Sequence, residues 1–336
     1  MNTSDSLRKG KGVYARILCL LIALLLAVLP FAVHASADES SAGTPEEEAV
    51  FGPGIASGNA VAAYCVEYQQ FIYTDRGDES IAPSVATKLA AMMVVMDVFR
   101  EKGLTLASTE VTVTKNALDN AGNVIDYRMP TMGFKAGSVY TAKDLVSAVL
   151  VANANDACAA LACFCGELMD GDIVTFVDRM NKKAREIGLA STVFVNPTGV
   201  DVPGQVSTPK EVAQLAAAFY NYNELVDLSN VESFHFNNKS LVRNKNYLKS
   251  NYYISGFLNK NAIGLIAGQK DVNGGYCLIT ATQKSGITYV LVVMDATGMV
   301  VDEEKKYSFV DGNAYVDMNL LLEWTRSSFE LLTIKA

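Results

Sequence analysis

Ile81 to Phe99 reads IAPSVATKLAAMMVVMDVF, a proline, a serine and a lysine leading into an unbroken apolar run. From Thr87 to Arg100 the apolar residues occupy nearly every face of a 3.6-residue period, and Gly103 then offers a stop, so the spacing predicts a buried central helix. Pro83 puts Ser84 at the helix entry, where a serine hydroxyl normally accepts from free N–H groups of the first turn. Ser84 also lies four residues before Lys88, about 40° away on the same helical face, which is the arrangement of a nucleophile and its base. Capping and catalysis are therefore both open to Ser84.

Outward from this helix, Ala60 to Thr74 (AVAAYCVEYQQFIYT) predicts two strands joined by a tight turn. Downstream, Thr141-Ala142-Lys143-Asp144 and Thr208-Pro209-Lys210-Glu211 have capping-box form, the second with proline at the first helical position. Asp156–Met169 and Ile173–Ile187 are expected as further helices. After Gly264 the period changes: Tyr276–Gln283 and Ile287–Met294 read as strands flanking a short connection at Lys284-Ser285-Gly286, and Val316–Ser327 as a closing amphipathic helix. Strands at both ends of a helical middle imply an α/β (α+β) fold, with an antiparallel sheet built from both termini and packed against helices, plus a mostly helical lobe.

Arg8, Lys9, Lys11 and Arg16 precede an apolar stretch, Ile17–Val33, and Ala35-Ser36-Ala37 supplies a small-x-small cleavage pattern. Residues 1–37 are thus expected to be an export signal, either cleaved or kept as an N-terminal anchor, and the protein to be extracellular or held at the membrane or wall surface. Four basic residues and Asp5 belong to that segment, so the 28 basic and 36 acidic residues of the chain become 24 and 35, a net charge of −11. Such a balance disfavours nucleic acid or anionic lipid as a partner. Residues 38–58, acidic and rich in Ser, Gly and Pro, read as a flexible tether, and 59–336 as one globular domain. Five cysteines remain in an odd, irregular set, and Cys158, Cys163 and Cys165 share one apolar run, which suits buried free thiols. With only His34 and His235 in the chain, neither a histidine-rich metal site nor a Ser-His-Asp triad is expected, and no cofactor is implied.

The lead-in to the central helix, Ala152-Asn153-Ala154-Asn155-Asp156-Ala157, Met180 to Val200 (MNKKAREIGLASTVFVNPTGV) and Gly264 to Leu278 (GLIAGQKDVNGGYCL) together resemble the serine-type D-alanyl-D-alanine carboxypeptidases, penicillin-binding proteins with a β-lactamase-like fold. The resemblance covers most of the chain beyond residue 59 and implies three motifs meeting in one cleft: Ser-x-x-Lys, Ser-x-Asn and Lys-Thr-Gly. In that chemistry a serine attacks a peptide carbonyl, a lysine one turn on takes its proton, and a second lysine and a threonine grip the terminal carboxylate. Here Lys88 takes the first motif's lysine, which leaves Val85 in the serine's place. Asn155 matches the second motif, with Asn153 where its serine is expected. Gly268 matches the third, with Ile266 and Ala267 where lysine and threonine are expected. No motif is intact. The family's C-terminal β-rich domain and anchor helix are not expected after Leu331-Leu332-Thr333.

The resemblance therefore implies a family member of peptidoglycan metabolism whose site is altered at the nucleophile, the proton relay and the carboxylate grip. Two readings follow: an inactive relative that binds a peptidoglycan stem peptide, a wall fragment or a protein partner, or an active carboxypeptidase using Ser84 as a displaced nucleophile. Lys88 is either a surviving base or a cation held by the Asn153 and Asn155 side-chain oxygens. The two asparagines either line a pocket or form a satisfied polar cluster between helices. Arg243, Lys245 and Lys270 are candidate substitute cations.

Overall fold

The computed structural model describes residues 52–55, 59–121, 130–251, 256–269, 275–296, 300–301, 307–308 and 313–329. The expected signal and most of the tether lie outside them. Among the described residues no helix is long and apolar enough to cross a membrane.

The chain begins with β1 (Ala60–Cys65) and β2 (Gln70–Asp75), then α1 (Ala86–Lys102), β3 (Glu110–Thr112), α2 (Lys115–Asp119) and β4 (Val139–Thr141). The helices α3 (Ala142–Ala152), α4 (Asn155–Leu168), α5 (Ile173–Ile187), α6 (Pro209–Tyr220) and α7 (Asn223–Ser229) follow. A hairpin of β5 (Ser233–Phe236) and β6 (Ser240–Arg243) leads to β7 (Ile263–Gln269), β8 (Tyr276–Lys284), β9 (Ile287–Ala296) and the closing helix α8 (Ala314–Ser328). The main sheet has the order β2-β1-β9-β8-β7, antiparallel throughout, so the N-terminal β1 pairs with β9 from the far end of the chain.

Both faces of this sheet are covered, which explains the near-continuous hydrophobicity of its strands. Along β1, Ala60, Ala62 and Tyr64 face the helical core, whereas Val61, Ala63 and Cys65 face a second core under α8, the two-residue alternation of a pleated strand. β8 and β9 are joined by Ser285 and Gly286, both at positive φ (53° and 80°), as in a two-residue hairpin turn whose twist matches the sheet. On the first face α1 is the central rod. Every residue from Ala86 to Val95 is buried, and Gly103 ends the helix in the left-handed conformation (φ 67°).

The entry of α1 differs from the expected serine cap. Ser84 itself adopts φ 50°, and its carbonyl, not its hydroxyl, accepts from the helix, from Thr87 N–H at 3.2 Å. Val85 then occupies the cap position without a side-chain hydrogen bond. The two threonine caps are confirmed in half: Thr141 and Thr208 accept from the N–H groups of Asp144 and Glu211. Glu211 does not reach back; its carboxylate accepts from Ser191 N–H and the Thr192 hydroxyl. A complete box occurs at Asp172 and Thr175, starting α5.

Candidate functional site

Three segments converge where the fold brings α1, the α3–α4 junction and β7 together. α3 ends at Asn153 in the left-handed conformation (φ 58°), and α4 starts two residues later, with Asn155 N–H on the carbonyl of Pro130 at 2.8 Å. Asparagine tolerates this backbone better than most residues, so the sharp turn between helices is built into the sequence. Gly268 sits against both neighbours. A Cβ on it would lie 2.3 Å from Asn153 Nδ2 and 2.5 Å from Val85 Cγ1, so only glycine permits β7 to approach this closely.

The seven expected positions are all buried. The structure nevertheless divides them. Val85, Asn153 and Gly268 are in contact, and Ile266 packs into the helical core on their side of β7. Ala267 packs instead into the second core under α8, so its side chain faces away from the helical core.

Lys88 is 2 % exposed, and its ammonium donates to the carbonyl of Thr198. That carbonyl belongs to a turn organised by Asn196, whose Oδ1 accepts from Thr198 N–H, the Thr198 hydroxyl and Gly199 N–H. Gly199, at φ 80°, lets the turn press against the Ser84 carbonyl, and Cys158 Sγ reaches the carbonyl of Pro197 at 3.2 Å. Burial pushes the Lys88 ammonium down to about 8; the adjacent Cys158 thiol opposes the shift and the positive charge of Lys245 adds to it. Burial also pushes the Cys158 thiol up to about 12, and all five cysteines among the described residues are free and buried, as expected for small apolar side chains.

Two expectations are corrected here. Lys88 is not held by the Asn153 and Asn155 side-chain oxygens, because the backbone turn at Thr198 reaches it first. Nor are the asparagines a satisfied cluster: Asn153 Oδ1, Asn155 Oδ1, Ser84 Oγ and Thr87 Oγ1 are all buried without a hydrogen-bond partner. Ser84 Oγ therefore makes no bond to Lys88 Nζ. The left-handed backbone at Ser84 is the local reason that helical spacing does not carry over to this pair.

A buried lysine with a lowered pKa has a definite pH signature. Between about pH 8 and the ordinary lysine value near 10.5 the unfolded chain binds more protons than the folded one, so stability rises with pH across that window. Below pH 8 the cost of burying the charge is fully present, on the order of 3 kcal/mol before its hydrogen bond is counted. Lys88→Met is expected to be at least as stable as the native protein at pH 7. The stability difference between variant and native protein, measured by urea unfolding, should shrink between pH 7.5 and 10; a difference independent of pH would contradict the burial.

Of the substitute cations, Lys245 is placed at the site. Its N–H bonds the carbonyl of Val151 at 2.9 Å, and its charge reaches Lys88. Arg243 lies 3.7 Å from Glu232 at the β5–β6 hairpin, and Lys270 lies outside the described residues. Sequence reasoning missed Thr198 as the partner of Lys88, because a backbone carbonyl leaves no mark in residue type. It also missed Asp156, whose carboxylate accepts from Met132 and Phe134 N–H and holds that loop to the start of α4. An acidic residue in the first turn of a helix was the available signal. Among the described residues no cluster of three or more His, Cys, Asp or Glu side chains comes together.

A five-stranded antiparallel sheet between a helical lobe and a single C-terminal helix, with a buried lysine one turn into the central helix, defines the penicillin-binding-protein class of fold. Penicillin-binding protein 5 from Haemophilus influenzae superposes with a TM-score of 0.65 at 23% identity, over 82% of this chain and 72% of that one. Penicillin-binding protein D2 from Listeria monocytogenes, in its cefotaxime-bound form, gives 0.61 at 23% identity, over 79% and 96%. The family model for D-alanyl-D-alanine carboxypeptidases matches residues 48–298, and the chain belongs to that family. It is 29% identical over 293 residues to the D-alanyl-D-alanine endopeptidase of Escherichia coli, covering 82% of this chain and 81% of that protein. It is 27% identical over 234 residues to the carboxypeptidase DacF of Bacillus subtilis, covering 67% of this chain. The chain spans little more than half the length of DacF and of Escherichia coli DacC (54% and 58%).

Proposed function

We propose that this protein is an exported, wall-facing member of its family that forms no acyl-enzyme and instead binds a cell-wall fragment or a protein partner. The observation that carries this reading is Val85: an isopropyl group, with no lone pair to attack a carbonyl, contacts Gly268 at the place where the resemblance puts the nucleophile. Two further features support it. Lys88 is engaged by the Thr198 carbonyl, and Ile266 buries hydrocarbon where a cation would grip a carboxylate. A peptidoglycan-related ligand and an extracytoplasmic location follow from the family and from the basic-then-apolar N-terminal segment. Incubating the mature protein with a penicillin and weighing it intact tests the reading. The expected result is an unchanged mass; a stable adduct mapped to Ser84 would replace this reading with that of an active enzyme using a displaced serine.

A further inference from the structure

An ammonium carries three N–H donors and one charge, and burying it is costly unless both are met. Among the described residues Lys88 meets only the Thr198 carbonyl, so two of its N–H groups have no protein acceptor and no carboxylate pairs with it. The Asp156 carboxylate, at the start of α4, is spent on the N–H groups of Met132, Phe134 and Ala157. Where the chain half-buries another ammonium it does supply a counter-charge: Lys183 has Asp97 at 2.6 Å. Around Lys88 the balance is reversed. The charge that reaches it from Lys245 is positive, and burial keeps the Cys158 thiol protonated and therefore neutral.

Two further donors lie at the same place. Ser84 Oγ and Thr87 Oγ1 have no hydrogen-bond partner, although Ser84 is 3 % exposed and Thr87 0 %. Hydroxyls so enclosed normally have partners, so the group they meet is expected to come from a ligand. Both residues press on the turn that holds Lys88. A Cβ on Gly199 would lie 2.0 Å from the Ser84 carbonyl oxygen and 3.4 Å from Thr87 Cβ, one residue after the carbonyl that takes the ammonium. The entry of α1 thus groups an ammonium with two unspent N–H groups and two unspent hydroxyls. Asn153 and Asn155, whose unpartnered Oδ1 atoms are acceptors, belong to the α3–α4 junction and not to this donor set.

We propose that the entry of α1 binds a small monovalent anion, a halide such as chloride, between the Lys88 ammonium and the hydroxyls of Ser84 and Thr87. A halide accepts from several directions at once and matches one positive charge, whereas water would meet the donors and leave the charge uncompensated. The enclosure of all three residues favours an ion of one atom over a carboxylate or a phosphate. Bound there, the ion ties α1 to the Asn196–Gly199 turn. The proposal rests on reading Lys88 as a held cation and not a working base. The two fail separately, because halide dependence is measured without any penicillin.

The test is urea unfolding of the mature protein at neutral pH, in sodium bromide and in sodium gluconate of equal ionic strength. Bromide should stabilise the native protein saturably, and at a hundred times its dissociation constant the folding equilibrium shifts about a hundredfold. Lys88→Met, similar in volume and uncharged, should fold and show no preference between the salts. Thr87→Val exchanges an orphaned hydroxyl for a methyl, so in gluconate it should be at least as stable as the native protein. In bromide it should bind the ion at least about tenfold more weakly, the loss of one hydrogen bond to a charged group. Crystals grown in bromide should show an anomalous peak within hydrogen-bond distance of Lys88 Nζ. Equal stability of the native protein in the two salts would overturn the proposal. So would a bromide effect that persists in Lys88→Met, or crystals with no peak at Lys88.

Discussion

Val85→Ser, which restores the hydroxyl that the family resemblance expects, is expected to leave the protein without measurable carboxypeptidase turnover. In serine hydrolases the nucleophile and its base act as a unit. Losing either one costs on the order of a millionfold in turnover, about as much as losing all of the catalytic residues, so replacing one member of an otherwise altered set recovers little. The surrounding geometry gives the same answer. Lys88 donates to the Thr198 carbonyl, Asn153 Nδ2 is packed beside Gly268, and Ile266 fills the helical side of β7 with hydrocarbon. A serine at 85 would have a base already engaged, no serine at 153 to relay its proton and no cation for a substrate carboxylate. Release of D-alanine from a diacetyl-Lys-D-Ala-D-Ala peptide is the measurement. Turnover within a hundredfold of an active family member would show that Lys88 leaves Thr198 readily and that Ile266 and Asn153 are tolerated.

Gly199→Ala should be among the most damaging single-methyl additions in the protein. Gly199 stands at φ 80°, where a side chain costs about 1–2 kcal/mol, and its Cβ would lie 2.0 Å from the Ser84 carbonyl oxygen. Backbone cannot rotate aside as a flexible side chain would. The turn at Asn196–Gly199 must shift, and the Lys88–Thr198 bond shifts with it. A loss of at least about 3 kcal/mol is expected, which in a domain of this size lowers the melting temperature by roughly 10 °C. Gly188→Ala is the internal control, because Gly188 is also left-handed (φ 93°) but its Cβ would meet nothing within 4 Å. It should lose only the conformational cost. Equal losses at the two glycines in urea unfolding would show that the contact between the turn and Ser84 is slack.

Much of the fold was legible in the chain because its strands and helices are marked locally. The near-continuous, β-branched apolar runs of Tyr276–Lys284 and Ile287–Ala296, the two turn residues between them, and the long apolar run of α1 each point to one kind of element. The small pieces were not legible. β3 and β4 are three residues each and α7 is seven, too short for any period to show, and they exist because tertiary neighbours hold them. At the site, residue identities were readable, including the valine at 85 and the lysine at 88. Their relations were not: helical spacing placed Ser84 on the face of Lys88, and a single left-handed residue broke that relation.

The sequence by itself determined which atoms are available at the expected motif positions, among them an isopropyl group, an ammonium and two amides, and that the sheet must draw strands from both ends. These follow from composition and period alone. Only the tertiary structure decided what each group touches. It gave Lys88 to a backbone carbonyl, left the side-chain oxygens of Ser84, Thr87, Asn153 and Asn155 buried without partners, and turned Ala267 to the far core. Those outcomes depend on contacts between segments distant in the chain, 110 residues apart for Lys88 and Thr198, and on backbone groups that every residue type shares.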